Sequence, residues 1–354
     1  MKKLHLIFWL LIFSVLQLAG CSDSASDDQQ LIGIFPAKNL EQARSYAVTE
    51  SGNSALLIWQ DGELFLEEYN SMDGQTFHPI FSGTKSLAGL MAALAIRDGH
   101  LTFNTPLSDL IEGWKPDTER GKITVAQLLN LTSGLETAPA GSYLNQSPDI
   151  WLNAQMAFER GTTFVYGPTP FYLLAHVFME TLNINPVQYL NQELFEPLGL
   201  RHPKWQLYLP GQIPNLSFGA EYTPIDWLQL GLFLLNEGNL NGNPLIPQEI
   251  FSRLLEPTES APNFGITFWL NKTVSGKEKI TSRHPEFFDS TSGNQQISDT
   301  LPEDAYMKSG LFGQRLYVIP SLNLVIVRLG PPNQTYNDHQ FFSRLMQGVA
   351  VPTI

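Results

Sequence analysis

The sequence predicts a mixed α/β (α+β) fold of two lobes, an antiparallel sheet flanked by helices with an all-helical lobe inserted into it. Three observations carry this expectation. Short β-branched and aromatic runs lie near both ends of the chain, a long stretch with mainly helical apolar spacing separates them, and no segment repeats with the period of roughly 20 to 50 residues that marks solenoids and propellers. The chain, at 354 residues, is long enough to bury a large core.

Taken in order, the first segment is an address. Lys2 and Lys3 precede an apolar run from Leu4 to Leu16, and Leu18-Ala19-Gly20-Cys21 follows with small residues ahead of the only cysteine. This pattern predicts a signal peptide over residues 1–20. Its ending resembles a bacterial lipoprotein box, which implies that Cys21 becomes the lipid-bearing first residue of the mature protein. A transmembrane anchor is the competing reading, but the run is short for a bilayer span. Ser22, where an aspartate would resemble an inner-membrane retention signal, implies an outer-membrane lipoprotein facing the periplasm. Residues 21–30 then form a polar tether, and residues 31–354 the folded part, with a sheet lobe at about 31–80 and 257–354 and a helical lobe at about 81–256.

With Cys21 lipidated, no cysteine is left for a disulfide, so stability must come from the core. The formal charge of -13 becomes -15 once Lys2 and Lys3 are removed. Such a surface repels nucleic acid.

The first strand pair is predicted at Ala55 to Tyr69 (ALLIWQDGELFLEEY), around an Asp61-Gly62 turn that accepts positive φ. From Ser82 the spacing turns helical. Thr124 and Gln127 form a capping box ahead of Leu128, Leu129 and Leu131, with a stop at Gly134. A second helix opens around Pro170, where FYLLAHVFMETL follows Thr169. Strands are expected again at Phe264–Leu270, Ala305–Gly310, Leu316–Ile319 and Leu324–Leu329, and a closing helix at Asp338–Val349.

The chemistry begins at FSGTKSLAGLMAALAIRDG, Phe81 to Gly99. Between Ser82 and Ile96 this apolar helix carries one charged side chain, Lys85. A serine hydroxyl is a weak nucleophile until a neighbouring base takes its proton, and a lysine can serve when burial lowers its pKa. At i and i+3, Ser82 and Lys85 share a helix face. The plainer reading is a serine N-cap followed by a lysine that snorkels to water.

The surrounding sequence bears on that choice. Ser82-Gly83-Thr84-Lys85 with its apolar helix, ITVAQLLNLTSGL (Ile123 to Leu135), GTTFVYGPTPFYLL (Gly161 to Leu174), TPIDWLQLGLFLLNEGNLNG (Thr223 to Gly242) and YMKSGLFGQRLYVIPSLNLVIVRLG (Tyr306 to Gly330) together resemble the serine β-lactamase-related family. This is the group of class C β-lactamases, D-Ala-D-Ala peptidases and esterases, and the likeness spans nearly all of the mature chain in the right order. The resemblance implies a β-lactamase/transpeptidase-like fold. It also implies that Ser82 is the acylated nucleophile, Lys85 its proton-accepting partner, and Tyr166 the tyrosine that, as phenolate or phenol, passes the proton to the leaving group. Lys308-Ser309-Gly310 matches the family's Lys-Thr-Gly strand, and the amides of Ser82 and Leu311 would form the oxyanion hole.

One position departs from the pattern. Where the family has asparagine two residues after the tyrosine, this chain has Pro168, which offers no carboxamide and no backbone donor. Ester or non-peptide amide substrates are therefore expected ahead of β-lactams and peptidoglycan. The alternatives are a D-alanyl-D-alanine peptidase or β-lactamase, and a catalytically degenerate binding protein of the same fold.

Other constellations are missing. There is no Gly-x-Ser-x-Gly elbow, no His-Glu-x-x-His, no cysteine metal site and no phosphate loop, so neither a metal nor a nucleotide cofactor is implied. His176 reads as structural, and His284 and His339 lie in polar stretches. The expected partners are a small ester, amide or peptide substrate and, through Cys21, a membrane. The polar segment 271–302 reads as a lid or a disordered loop.

Overall fold

The hairpin expected around Asp61-Gly62 forms the edge of a six-stranded antiparallel sheet in the computed structural model. The structure describes residues 31–48, 54–70, 72–114, 119–137, 147, 149–273, 281–282, 296–331 and 336–352. The signal peptide, Cys21 and the polar tether fall outside these residues, as does most of segment 271–302. Strand β1 is Ser54–Gln60, β2 Glu63–Asn70, β3 Trp269–Leu270, β4 Tyr306–Gly310, β5 Gln314–Ile319 and β6 Leu324–Leu329. Their order is β3-β4-β5-β6-β1-β2, so the pairing of β6 with β1, inside the sheet, joins the two ends of the chain. Asp61 and Gly62 both take positive φ, at 49° and 96°, as a two-residue hairpin with the native twist requires.

The main helices are α1 (Ala37–Val48), α2 (Thr84–Arg97), α3 (Val125–Leu129), α4 (Thr169–Thr181), α5 (Pro224–Leu235) and α6 (Asp338–Leu345). Helix α5 lies on β5 and β6, and Gly231 makes this possible because a Cβ there would come within 2.7 Å of both Val325 and Leu316. Helix α1 packs on β1 and on α6. Helices dominate the segment between β2 and β3, and short strand pairs such as Ala220–Tyr222 against His78–Pro79 border it. One continuous cluster of buried apolar side chains runs through sheet and helices.

Helix α2 has no solvent face. Every residue from Thr84 to Ala95 is buried, which explains its unbroken apolar sequence. Each buried leucine here contributes about 1.5 to 3 kcal/mol.

Several boundaries differ from the expectations. Ser82 is not an N-cap: it sits in a 3₁₀ turn, Phe81–Gly83, and the cap position of α2 is Gly83, without a side-chain bond. The Thr124–Gln127 capping box forms in both directions, at 3.1 and 3.3 Å. Its helix stops at Leu129 rather than running to Gly134, because Leu131 turns to φ 63°. Of Phe264–Leu270 only Trp269–Leu270 is strand, since Thr267 at φ 66° reverses the chain and lets Phe264 bridge back to Trp269. The closing helix ends at Leu345, four residues short of Val349.

Candidate active site

Ser82 leaves the core by a tight turn. Phe81 before it adopts φ 46°, uncommon for a bulky side chain, and stacks edge-on at 5.5 Å against Phe312, itself at φ 61°. The turn is backed by Trp227, 3.2 Å from where a Cβ on Gly83 would lie. Strain of this kind persists only where surrounding packing enforces it, and it clusters at functional sites.

Lys85 is 5 % exposed and points its Nζ at three oxygens: Ser82 Oγ at 3.2 Å, the Ser217 carbonyl at 2.9 Å and Ser217 Oγ at 2.9 Å. The rest of its surroundings are the rings of Tyr166 and Phe171, 4.9 and 5.2 Å from Nζ. Burial pulls its pKa down from 10.5 to about 7. The snorkelling alternative is therefore set aside, because this ammonium does not reach water.

Ser217 carries no motif and was not foreseen. It is placed by an Asx turn in which Asn215 Oδ1 accepts from the amides of Ser217 and Phe218 at 3.0 and 3.3 Å. The loop is then locked to the Ser82 segment, with the Ala220 amide donating to Thr84 Oγ1 and the Ile80 amide to the Ala220 carbonyl, both at 3.1 Å. The only local signal is the turn-forming pair Asn215 and Ser217.

Tyr166 follows the Val165 amide, which bonds to the Leu131 carbonyl at 2.8 Å, so the left-handed turn that ends the α3 segment positions the phenol. Its side chain is hydrogen-bonded to Ser82 and its ring stacks on Trp269 at 6.0 Å. Burial raises its pKa to about 12, with Ser82 and the charge of Arg315 pulling the other way. Pro168 takes the N-cap position of α4, and its carbonyl receives the Phe171 and Tyr172 amides. No side-chain amide stands at position 168, and Lys85 bonds the hydroxyl and carbonyl of Ser217 instead.

Strand β4 approaches from the other side. Gly310 abuts Ile80 so closely that a Cβ would lie 2.1 Å from the Ile80 carbonyl, and only glycine fits there. Leu311 and Ser309 are half-buried beside it. Lys308 is 1 % exposed, so it does not face water; its Nζ lies 5.3 Å over the Phe268 ring and has no hydrogen-bond partner among the described residues. Burial lowers its pKa to about 7 as well.

Other candidates stay apart. His176 is half-buried on α4, where burial disfavours its charged form. His339 contacts Ser298 and Asp299 through Nδ1, at 3.2 and 3.1 Å, and His284 lies outside the described residues. Among the described residues no cluster of histidine, cysteine, aspartate or glutamate is placed to hold a metal ion.

The beta-lactamase family model matches residues 48–340, which span the Ser82 turn, Tyr166 and strand β4. The chain belongs to the beta-lactamase family. It is 21 % identical over 337 residues, 85 % of this chain and 90 % of the other, to an uncharacterised protein of Alkalihalophilus pseudofirmus. Among solved structures it superposes on a class C β-lactamase from Rhodobacter sphaeroides with a TM-score of 0.66 at 16 % identity, covering 88 % of this chain and 99 % of that one. A penicillin-binding protein homologue from Caulobacter crescentus gives 0.61 at 17 % identity over 88 and 95 % of the two chains. EstCE1, a hydrolase with promiscuous acyltransferase activity, gives 0.65 at 16 % over 88 and 98 %. These likenesses establish the β-lactamase-like fold, and family membership places the chain among serine hydrolases of that type.

Proposed function

We propose that this beta-lactamase family member hydrolyses an ester or non-peptide amide through an acyl-enzyme on Ser82. The observation that carries the reading is the set of neighbours around Lys85 Nζ. A neutral amine has two N–H groups and one lone pair. The Ser217 carbonyl can only accept, so it takes one N–H, and Ser217 Oγ can take the second. The lone pair is then left for the proton of Ser82.

The pKa values support one division of roles. With Lys85 near 7, roughly half of it is a free base at neutral pH, whereas phenolate at Tyr166, with its value near 12, amounts to roughly one part in 10⁵. Lys85 accordingly takes the proton from Ser82, and Tyr166 acts as a phenol that donates to the leaving group. The amides of Ser82 and Leu311 stabilise the oxyanion, and the protonated fraction of Lys308, whose pKa burial also lowers to about 7, adds positive potential beside it.

A panel of p-nitrophenyl esters, aryl amides, D-Ala-D-Ala peptides and a chromogenic cephalosporin tests the substrate class. Ester turnover is expected, with the cephalosporin slow because Pro168 cannot orient a substrate amide. Cephalosporin hydrolysis on the order of 100 per second or faster would overturn the assigned handicap.

We further propose that the protein is tethered to the periplasmic face of the outer membrane through a lipid on Cys21. This rests on the Leu18-Ala19-Gly20-Cys21 box and the absence of another cysteine. Cys21→Ser should move the protein from the membrane to the soluble fraction and lower its mass by the acyl chains. A variant that still fractionates with outer membranes at an unchanged mass removes the anchor.

A further inference from the structure

The Gly310–Leu311 peptide sits past the last paired residues of β4 and β5, Gly310 with Gln314, just before Phe312 swings to φ 61°. No strand ladder continues beyond that pair to hold its plane, and glycine is the residue least able to fix its own backbone. Something else must fix the direction of the Leu311 N–H. The Gly310 carbonyl accepts a hydrogen bond from Arg315 Nη1 at 2.9 Å. A peptide unit is planar, so gripping its oxygen also sets the line of its N–H.

We infer that Arg315 is a positioning residue for the oxyanion hole, holding the Gly310–Leu311 peptide by its carbonyl so that the Leu311 amide points at the developing negative charge. The guanidinium also draws electron density toward that carbonyl oxygen, which makes the N–H at the other end a stronger donor. The inference rests on the reading of Ser82 as the acylated nucleophile with Leu311 as oxyanion donor.

Arg315 is itself held rigidly. Its Nε and Nη2 form a fork on Asp338 at 2.7 and 3.1 Å, and the second Nη1 bond goes to the Gln314 carbonyl at 3.1 Å. Tyr317 donates to Asp338 at 2.5 Å, and its oxygen accepts from the Tyr336 hydroxyl at 3.2 Å. Asp338 stands in the first turn of α6, where the helix dipole favours its negative charge. Arg315 is 8 % and Asp338 7 % exposed, so water does not compete for these bonds. Burial works against the Arg315 charge, but Asp338 outweighs it and keeps the guanidinium ionised.

The test uses the double variant Arg315→Met with Asp338→Asn, which leaves no unpaired buried carboxylate, together with Arg315→Lys. The readouts are kcat and KM on a p-nitrophenyl ester, inhibition by phenylboronic acid, whose tetrahedral Ser82 adduct places an oxygen in the hole, and thermal melting. In the double variant kcat should fall about 10- to 100-fold and boronate affinity by a similar factor, with KM within about twofold. Lysine, still able to donate to one carbonyl, should recover part of both. A folded double variant with unchanged kcat and boronate affinity overturns the inference, as does a change confined to KM or melting. If the double variant does not fold, Arg315→Met alone, in which Tyr317 still donates to Asp338, carries the same readouts, and wild-type kcat with wild-type boronate affinity there overturns it. Fluorophosphonate labelling separates the two levels. If wild-type protein is not labelled at Ser82, the acyl-enzyme reading falls and takes the inference with it; if it is labelled and the methionine variants match its kcat and boronate affinity, the inference alone falls.

Discussion

Lys85→Ala should lower the rate of ester hydrolysis by on the order of 10⁴-fold or more, and Ser82→Ala should abolish covalent labelling by a fluorophosphonate. The expected size follows from the site. Besides Lys85, the side chain hydrogen-bonded to Ser82 is Tyr166, whose phenol is raised to about 12 and is almost wholly protonated at neutral pH. Removing Lys85 therefore removes the group able to take the proton. In the wild type, kcat/KM should rise with pH through about 7, where the Lys85 amine becomes free. Stability gives an independent check. The folded-state pKa of Lys85 lies below its unfolded value, so the unfolded chain binds more protons between about 7 and 10.5, and stability climbs with pH across that window. Below about 7 the full penalty applies, about 5 kcal/mol by the size of the shift. Lys85→Met, which fills the space without a charge, should melt at the same or a higher temperature at pH 7 and show a flatter dependence on pH. Full activity of Lys85→Ala on a substrate that acylates Ser82 would sink the mechanism and leave the fold untouched.

What the sequence disclosed and what it hid divide along a physical line. Features written in local chemistry were legible: the Asp61-Gly62 turn, the Thr124–Gln127 box, and the lone lysine on an otherwise apolar helix. The pairing of Ser82 with Lys85 needs only one helical turn, so the spacing allowed it, and the motifs around it favoured it over a cap and a snorkelling lysine. Ser217 was not legible, because it reaches Lys85 across 132 residues and holds it partly by a backbone carbonyl, which every residue possesses. Arg315 was equally silent, since its partners are another carbonyl and an aspartate on the last helix. The strand expected over Phe264–Leu270 failed for a related reason. Its aromatic composition suits a strand, but the chain must turn at Thr267, whose side chain packs against Gly89 on the helix that carries Lys85, so tertiary contact overrode local propensity.

Pro168 shows how one departure is absorbed. Losing the carboxamide removes a potential partner of the lysine and a potential partner of the substrate, and the two losses have different consequences. The lysine's loss is met by Ser217, whose carbonyl and hydroxyl fix its orientation at 2.9 Å each. Proline offers no carboxamide to a substrate amide, and the chemistry is accordingly expected where an amide clamp matters least, at an ester carbonyl.

Tyr166→Phe should cut kcat by about 10²- to 10⁴-fold while leaving the melting temperature within a few degrees. The substitution keeps the ring, and with it the stacking on Trp269 at 6.0 Å and the contact with the Lys85 Nζ at 4.9 Å; only the hydroxyl bonded to Ser82 is lost. The leaving group decides how large the loss is. An alkyl ester leaves as an alkoxide and needs a proton at the moment of bond cleavage, whereas p-nitrophenolate leaves unaided at neutral pH. If the phenol is the proton donor, the variant should lose far more activity on an alkyl ester than on its p-nitrophenyl counterpart. Equal losses on both would mean that the hydroxyl only orients Ser82. The same comparison made on Lys85→Ala should show no such split, because the base acts on Ser82 before any leaving group departs.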